Sequence, residues 1–223
     1  MPTSIGCFGV FYVSLQTMKR YIIYIWLALQ GFILHAESID SLFTRVPTDL
    51  LPLLERNARL DLLDLYNYGM TAKAENLYEG TSHLLVKQKD FLHLQLTDIS
   101  TWSLKRLVTE NDTLLCCIHT LTRPAIASSI RFYNPQWQTV DIDMPKPADS
   151  LFWQPADSLS HERLAELRTR IDFSAVTAFW SADSTELTLR ISVVDLNEED
   201  RRDAQQCLRP VTYVWCDQKF VLK

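Results

Sequence analysis

Residues 91–96 have the sequence Phe91-Leu92-His93-Leu94-Gln95-Leu96, and this alternation decides the fold class. Successive side chains on a strand point to opposite faces, so the leucines predict a buried face, with His93 and Gln95 on the other. Further strands are predicted along the chain that follows, at residues 101–108, 113–121, 128–133 and 136–142. Only short polar turns separate these strands, and short links favour antiparallel pairing because parallel strands need long crossovers. The sequence therefore predicts an antiparallel meander.

Helical patterns flank this meander on both sides. Leu50, Leu53 and Leu54 recur at helical spacing and predict a short amphipathic helix, and residues 59–68 predict a helix that stops at Gly69. After a proline-rich loop at 143–157, the remaining elements are predicted as helices at 160–170 and 197–207 and strands at 175–180, 186–194, 211–215 and 220–222. We expect an α+β fold, mainly antiparallel sheet with an N-terminal helical segment and later helices packed on one face.

One internal echo bears on the architecture. Residues 131–140 and residues 212–221 each have the order strand, polar turn, aromatic residue, strand. Two related halves would explain this echo, and so would one sheet with two ordinary hairpins. Both interpretations stay open at this point.

The N-terminal region has the pattern of a secretory signal. Met18-Lys19-Arg20 provides a basic start, and an apolar run follows up to Ala36. The run has roughly 15 apolar residues, fewer than the roughly 20 that a retained membrane anchor needs. We therefore expect an extension at 1–17, a signal peptide at 18–36 and a single exported globular domain at 37–223. Such a protein would not be an integral membrane protein after cleavage, and it would reside in the periplasm or on the outer-membrane surface.

The charge of the exported part excludes one class of partner. Residues 37–223 keep all 27 acidic side chains but lose Lys19 and Arg20 from the 22 basic ones, which leaves a formal charge of −7. Nucleic acids and anionic membrane surfaces are bound through a basic footprint. The sequence therefore predicts neither as a partner.

The scarcity of glycine excludes several kinds of enzyme. Residues 37–223 contain only Gly69 and Gly80. Phosphate-binding loops need glycines where backbone amides approach the ligand, so neither nucleotide fingerprint is present, and the same scarcity excludes the G-x-S-x-G motif of esterases. No cofactor is implied, and the pattern leans away from an enzyme.

Four cysteines remain after processing: Cys116, Cys117, Cys207 and Cys216. In an oxidising compartment Cys207 and Cys216 could form a disulfide that joins a helix end to the next strand. Buried free thiols are the alternative. The spacings do not fit a zinc site, because no C-x-x-C is present.

Other candidate sites are weaker. Asp61 and Asp64 lie three residues apart on one helical face, which suits either a carboxylate pair or a solvated surface. The histidines on predicted strands, His83, His93 and His119, could meet at a metal, and Cys116 or Cys117 with His119 invites comparison with a thiol nucleophile. Scattered histidines and core cysteines are the plainer interpretation.

An aromatic run in the proline-rich loop, Leu151-Phe152-Trp153, is a candidate partner contact. An apolar segment on a loop either folds back onto the protein or meets another molecule. The tryptophans on strands could likewise form a sugar-stacking platform or belong to the core.

The chain resembles a family of uncharacterised exported proteins from Bacteroidales bacteria, domain of unknown function 3256. The residues that carry the resemblance are Pro47, Leu51-Pro52-Leu53-Leu54, residues 57–65 (including Arg59, Asp61 and Asp64), Gly69-Met70, residues 128–133 and Trp137. The resemblance implies export, and it supplies no catalytic residues because the family has no assigned activity.

That lineage gives meaning to one further pattern. Aspartate followed by serine or threonine and then a small or aliphatic residue is similar to the O-glycosylation motif of exported proteins in such bacteria. The pattern predicts acceptors at Ser41, Thr113, Ser150, Ser158 and Ser184.

Together these patterns predict a cell-envelope module with a non-enzymatic binding or structural role, whose partner is an envelope protein or a glycan. A hydrolase or transferase of an unfamiliar family is the alternative, and it would need a polar cleft that gathers Asp61, Asp64 or the histidines. A protein inhibitor or assembly partner is a third reading, which would expose residues 151–153.

Overall fold

A computed structural model describes residues 37–109, 112–123 and 126–223, which belong to one compact unit. The predicted extension and signal peptide lie outside the described residues, as do residues 110 and 111 between the strands predicted at 101–108 and 113–121. None of the described helices is long and apolar enough to cross a membrane.

Seven strands form the first sheet: the five predicted for the meander and two that precede them. They are β1 (Lys73–Glu75), β2 (Thr81–Gln88), β3 (Phe91–Thr97), β4 (Ser100–Val108), β5 (Thr113–Leu121), β6 (Ala127–Tyr133) and β7 (Thr139–Val140). They pair in chain order, and every pair is antiparallel. The antiparallel meander is confirmed. Strand β7 is shorter than the strand predicted at 136–142, because residues 134–138 form a turn. In this turn the Asn134 side chain accepts hydrogen bonds from the amides of Gln136 and Gln138, and Trp137 has a positive φ.

Four later strands form a second antiparallel sheet. They are β8 (Val176–Trp180), β9 (Glu186–Ile191), β10 (Val211–Cys216) and β11 (Lys219–Leu222), in the order β11-β10-β9-β8. Both stretches of the internal echo form hairpins, β6–β7 and β10–β11. The hairpins lie in different sheets, which differ in size.

Five helices complete the described structure: α1 (Ile39–Thr44), α2 (Arg56–Asn67), α3 (Asp149–Phe152), α4 (His161–Arg170) and α5 (Glu198–Cys207). Helix α2 ends where Gly69 adopts a φ of 70°, a conformation that suits glycine.

One helix prediction is wrong. Residues 48–54 form turns, in which the amides of Leu50 and Leu51 both donate to the carbonyl oxygen of Pro47. Pro52 has no N–H and cannot extend such bonds into a longer helix. Leu51 and Leu54 are nevertheless buried, so the apolar spacing marks contact with the core rather than a helix.

The seven-stranded sheet has a core on each face. On one face Leu92, Leu94 and Leu96 pack with the segment that carries α1 and α2. On the other face Phe91 and Phe132 pack with the four-stranded sheet. Helices α1 and α2, the seven-stranded sheet and the four-stranded sheet therefore form three successive layers. Trp180 and Trp215 belong to the second core, so these two tryptophans are core residues rather than an open sugar platform. Trp102 belongs to the first core.

Helices α4 and α5 are joined by ion pairs. Asp200, at the start of α5, accepts from Arg163 and Arg170 of α4 at 2.8 and 2.7 Å, and Arg163 also pairs with Asp203 at 2.8 Å. The N-cap Asn197 completes the site around Asp200 by donating to its carboxylate at 2.8 Å.

Candidate functional site

A groove of about 260 Å³ opens on the helix-covered face of the seven-stranded sheet, and the turn at 48–52 borders it. We call it the Arg131 groove. It is lined by Asp49, Leu50, Pro52, Trp102, Cys117, His119, Ser129, Arg131 and Tyr133.

Strand register explains why these side chains meet. His119 lies between Trp102 on β4 and Ser129 on β6, while Cys117 lies opposite Arg131. Residues two apart on a strand share a face, so Ser129, Arg131 and Tyr133 follow one another along the same side of β6. The turn at 48–52 adds Asp49 and Pro52 from above the sheet.

The groove has an apolar floor and a polar rim. Trp102, Cys117 and Tyr133 are buried, whereas His119, Ser129, Arg131 and Asp49 are exposed. Concave sites with aromatic floors and a few convergent polar groups are typical of ligand binding.

The rim carries one permanent cation, Arg131, one carboxylate, Asp49, and one neutral imidazole, His119. Although part of His119 is exposed, desolvation of its ring by the surrounding protein lowers its pKa, so at neutral pH the ring is uncharged and can both donate and accept a hydrogen bond. Arg131 forms no ion pair with any carboxylate in the described ranges. The groove therefore offers the guanidinium fork of Arg131 and the carboxylate of Asp49, with uncharged hydrogen-bonding groups between them in the lining.

Tyr133 stays a neutral phenol at the floor of the groove. Burial raises its pKa, and the nearby Arg131 only partly opposes that effect. Tyr133 and Trp102 are 4% and 3% exposed, so the two rings offer a ligand their exposed margins at the base of the groove.

The buried thiol beside His119 is not suited to nucleophilic catalysis. Burial raises the pKa of Cys117 well above its usual value, and the reactive form of a cysteine is the thiolate. Cys116 faces the second core, where burial raises its pKa to about 12. The adjacent cysteines thus point to opposite faces, as expected for a strand, and neither is an activated thiol.

The other titratable candidates do not gather at one place. Asp61 and Asp64 line a separate groove on α2. His93 lies on the face of the sheet opposite to His119, because it alternates with the buried Leu92 and Leu94. Among the residues that the structure describes, no cluster of histidine, cysteine, aspartate or glutamate has the geometry of a metal site.

The aromatic run at 151–153 lies against the end of α5. Phe152 is 1% exposed and belongs to the second core, and the backbone of Phe152 and Gln154 bonds to Arg209 and Cys207. Phe152 is therefore not available at the surface. A partner contact stays a prediction for the half-buried Leu151 and Trp153, the latter packed on Phe173 at 6.5 Å between ring centroids.

The predicted disulfide is not formed: Cys207 is a buried free thiol and Cys216 an exposed one. Cys207 ends α5, and three residues separate it from Val211, where β10 begins, while Cys216 is the last residue of β10. A six-residue strand rises about 17 Å from end to end, and a disulfide needs Cα atoms within about 7 Å.

The predicted glycosylation acceptors all have some exposure. Ser150 and Ser158 are exposed, in α3 and in the turn after it, and the Ser158 hydroxyl donates to Gln206 at 2.9 Å. The half-buried acceptors are Ser41 in α1, Thr113 at the start of β5 and Ser184 between β8 and β9. Modification of these residues stays a prediction.

A protein-family model matches residues 32–220, and its description is "Protein of unknown function (DUF3256)". The chain belongs to this family. Its members share a sequence pattern to which no activity is attached. No curated protein matches the chain.

A solved structure supports the fold of this DUF3256 chain. It is described as the structure of a domain of an uncharacterized protein from Porphyromonas gingivalis W83. The TM-score is 0.67 at 24% sequence identity, over 83% of this chain and 97% of the other. At this identity the likeness concerns the fold alone.

Sequence reasoning considered His119 only as a metal ligand or a partner of a thiol, and it missed Arg131. The available signal was the alternation of Ser129, Arg131 and Tyr133 along β6, which places two polar residues on the core-facing side of a strand. The alternation could not show that the turn at 48–52 forms one wall of the groove.

Proposed function

We propose that residues 37–223 act, after export, as a non-enzymatic binding module of the cell envelope, and that the Arg131 groove holds the ligand. The basic and apolar start of the chain supports export. The acidic charge of the remainder speaks against nucleic acids and anionic membranes as targets.

The position of Arg131 beside an aromatic floor carries the proposal. A guanidinium binds a carboxylate through two parallel hydrogen bonds, and aromatic rings favour the apolar face of a ligand. His119 and Ser129 add neutral hydrogen bonds. This combination suits a small carboxylate with both an apolar face and hydroxyl groups, such as an acidic sugar unit of a glycan.

The size of the groove agrees with one such unit. At about 260 Å³ it lies slightly below the roughly 300–1,000 Å³ of sites for drug-sized molecules. A single sugar ring would fill it, and the open rim would let a longer glycan continue into solvent.

The test compares glucuronate with glucose, which differ at one carboxylate, by titration of ¹⁵N-labelled residues 37–223. We expect glucuronate to shift the amide resonances of β5 and β6 around His119 and Arg131. Arg131→Ala should weaken binding about tenfold or more, because a charged hydrogen-bond pair is lost. Arg168→Ala removes the same charge from an exposed site on α4 and should change nothing. Equal binding of both sugars, or binding unaffected by Arg131→Ala, would contradict the proposal.

Export is tested separately, by intact mass of the protein from a fractionated envelope. A chain that begins at Glu37 supports cleavage after Ala36, and added hexose or deoxyhexose mass supports the O-glycosylation prediction. A full-length chain in the cytoplasmic fraction would contradict the envelope role.

A further inference from the structure

A second groove lies between helix α2 and strand β1, on the outer edge of the seven-stranded sheet. We call it the α2–β1 groove. It encloses about 630 Å³ and is lined by Ala58, Asp61, Asp64, Leu65, Tyr68, Lys73, Ala74 and Glu75. Strand β1 contributes three consecutive residues. Side chains of consecutive residues point to opposite faces, so what the strand presents to the groove is its backbone edge.

Among the described residues, the backbone groups of strand β1 on this edge have no hydrogen-bond partner. The amide of Leu84 donates to Ala72, and the amide of Asn76 donates to Gly80, so residues 72, 74 and 76 face β2. The N–H and C=O groups of Lys73 and Glu75 then face outward, into the groove. Edge strands with free groups of this kind are templates for a further strand.

Helix α2 runs alongside β1 in the opposite direction. The end of α2 leads through Gly69 into β1, and the amide of Leu77, just after β1, donates to Leu53, just before α2, at 3.1 Å. The helix stripe from Ala58 to Tyr68 spans about 15 Å, which matches four to five residues of extended chain.

Exposed apolar side chains stand at both ends of the groove. Tyr68 and Met70 are 81% and 59% exposed at one end, and Leu77 and Tyr78 are 56% and 83% exposed at the other. The floor is apolar as well, since Ala58, Leu65 and Ala74 pack against the first core. Exposed aromatic residues beside an apolar groove are features of a protein-binding surface.

The charge of the groove selects the occupant. Asp61, Asp64 and Glu75 outnumber Lys73, and no ion pair involves any of these four within the described part of the chain. A ligand with lysine or arginine side chains would therefore find free carboxylates on both walls.

We propose that the α2–β1 groove binds an extended, basic peptide segment of another protein, which adds a strand to the sheet next to β1. The outward backbone groups of Lys73 and Glu75 supply the main-chain hydrogen bonds, and Asp61, Asp64 and Glu75 select basic side chains. This site is independent of the Arg131 groove. A second copy of the chain is disfavoured as the occupant, because its β1 carries one lysine and one glutamate and is therefore not a basic segment.

The probe is an acetylated and amidated peptide of about eight residues that alternates lysine and valine, with a glutamate–valine peptide as its opposite. Both are titrated into ¹⁵N-labelled residues 37–223. We expect the basic peptide to shift the amides of residues 72–76 and to slow hydrogen exchange at Lys73 and Glu75. The acidic peptide should do neither.

Two pairs of variants distinguish the contribution of backbone hydrogen bonds to peptide binding from the contribution of charge. Lys73→Pro and Lys73→Ala both remove the lysine, but only proline removes the outward N–H, and proline is tolerated at such edge positions. We expect Lys73→Pro to bind about tenfold more weakly than Lys73→Ala. The double change Asp61→Lys with Asp64→Lys should weaken binding by about tenfold or more, whereas Asp143→Lys, at an exposed loop residue, should not.

Several results would overturn the proposal. They are equal binding of the acidic peptide, equal binding by Lys73→Pro and Lys73→Ala, or no shift of the β1 amides by the basic peptide. A concentration-dependent dimer in analytical ultracentrifugation that Lys73→Pro abolishes would instead make a second copy the occupant. Unchanged resonances of β3 to β6 in each variant show that the fold is intact.

Discussion

The buried Arg59 should be worth about 3 kcal/mol of stability, and its replacement tests how the N-terminal helices are held on the sheet. Arg59 lies in α2 and is 2% exposed. Its Nη1 donates to the carbonyl oxygens of Val46, at 2.6 Å, and Phe43, at 3.1 Å, both at the end of α1. The guanidinium thus caps the helix that covers the first core.

The expected loss in the free energy of unfolding is the sum of the hydrogen bonds that the two carbonyl groups lose. Hydrogen bonds to charged groups contribute roughly 1.5–3 kcal/mol, so the short bond to Val46 should account for about 2 kcal/mol. Phe43 keeps a second donor, the amide of Val46 at 3.3 Å, so its loss should be about 1 kcal/mol. Burial opposes these terms, since it lowers the pKa of Arg59 and leaves its Nε without a hydrogen-bond partner among the described residues.

The assay is urea unfolding of residues 37–223, followed by tryptophan fluorescence. We expect Arg59→Ala to lower the free energy of unfolding by about 3 kcal/mol, equivalent to a fall of roughly 6–12 °C in Tm. Arg59→Met keeps the aliphatic stem and should lose about 2 kcal/mol. Arg56→Ala, at an exposed position of the same helix, should stay within about 0.5 kcal/mol of the parent. If Arg59→Met were as stable as the parent, burial of the charge would outweigh both hydrogen bonds, and the reasoning would fail.

Three further predictions concern other parts of the molecule. Phe152→Ala should lower the free energy of unfolding in urea by about 3–5 kcal/mol, because it leaves a cavity in the core. A loss below about 1 kcal/mol would indicate that residues 151–153 lie at the surface. Hydrogen bonding from Arg170 lowers the pKa of Asp200, so the stability that this aspartate adds should be present above about pH 4 and lost on further acidification. Asp200→Asn should therefore flatten the pH dependence of unfolding between about pH 5 and 2, and an unchanged slope would refute the role of the ion pairs. Among the described thiols, only Cys216 should react with iodoacetamide in the native state. Asp217→Asn should speed that reaction, because the Asp217 charge raises the pKa of Cys216. Rapid labelling of Cys116 would contradict its assignment as a buried thiol.

The strands and their pairing were predictable because the signals are local. Alternation at 91–96 marks a strand with one buried face, and a short turn leaves an antiparallel neighbour as the simplest partner. The helix prediction at 48–54 failed for a related reason. The spacing of Leu51 and Leu54 reports contact with a core, and turns can meet that requirement as well as a helix.

The candidate sites were less predictable because each needs groups from distant parts of the chain. Arg131 became a candidate only when the turn at 48–52 was placed above it, and Phe152 lost its surface role when the second sheet covered it. The pairing of Cys207 with Cys216 looked plausible from their spacing, but an extended β10 keeps the two apart.

By itself the sequence determined the class of the fold, the order of most elements and the acidic charge, because periodicity and composition act within a few residues or over the whole chain. Only the tertiary structure decided that the later strands form a separate sheet, which face each layer covers and where β1 leaves its edge open. A residue pattern shows that a face is buried, but what buries it depends on packing between segments far apart in the chain.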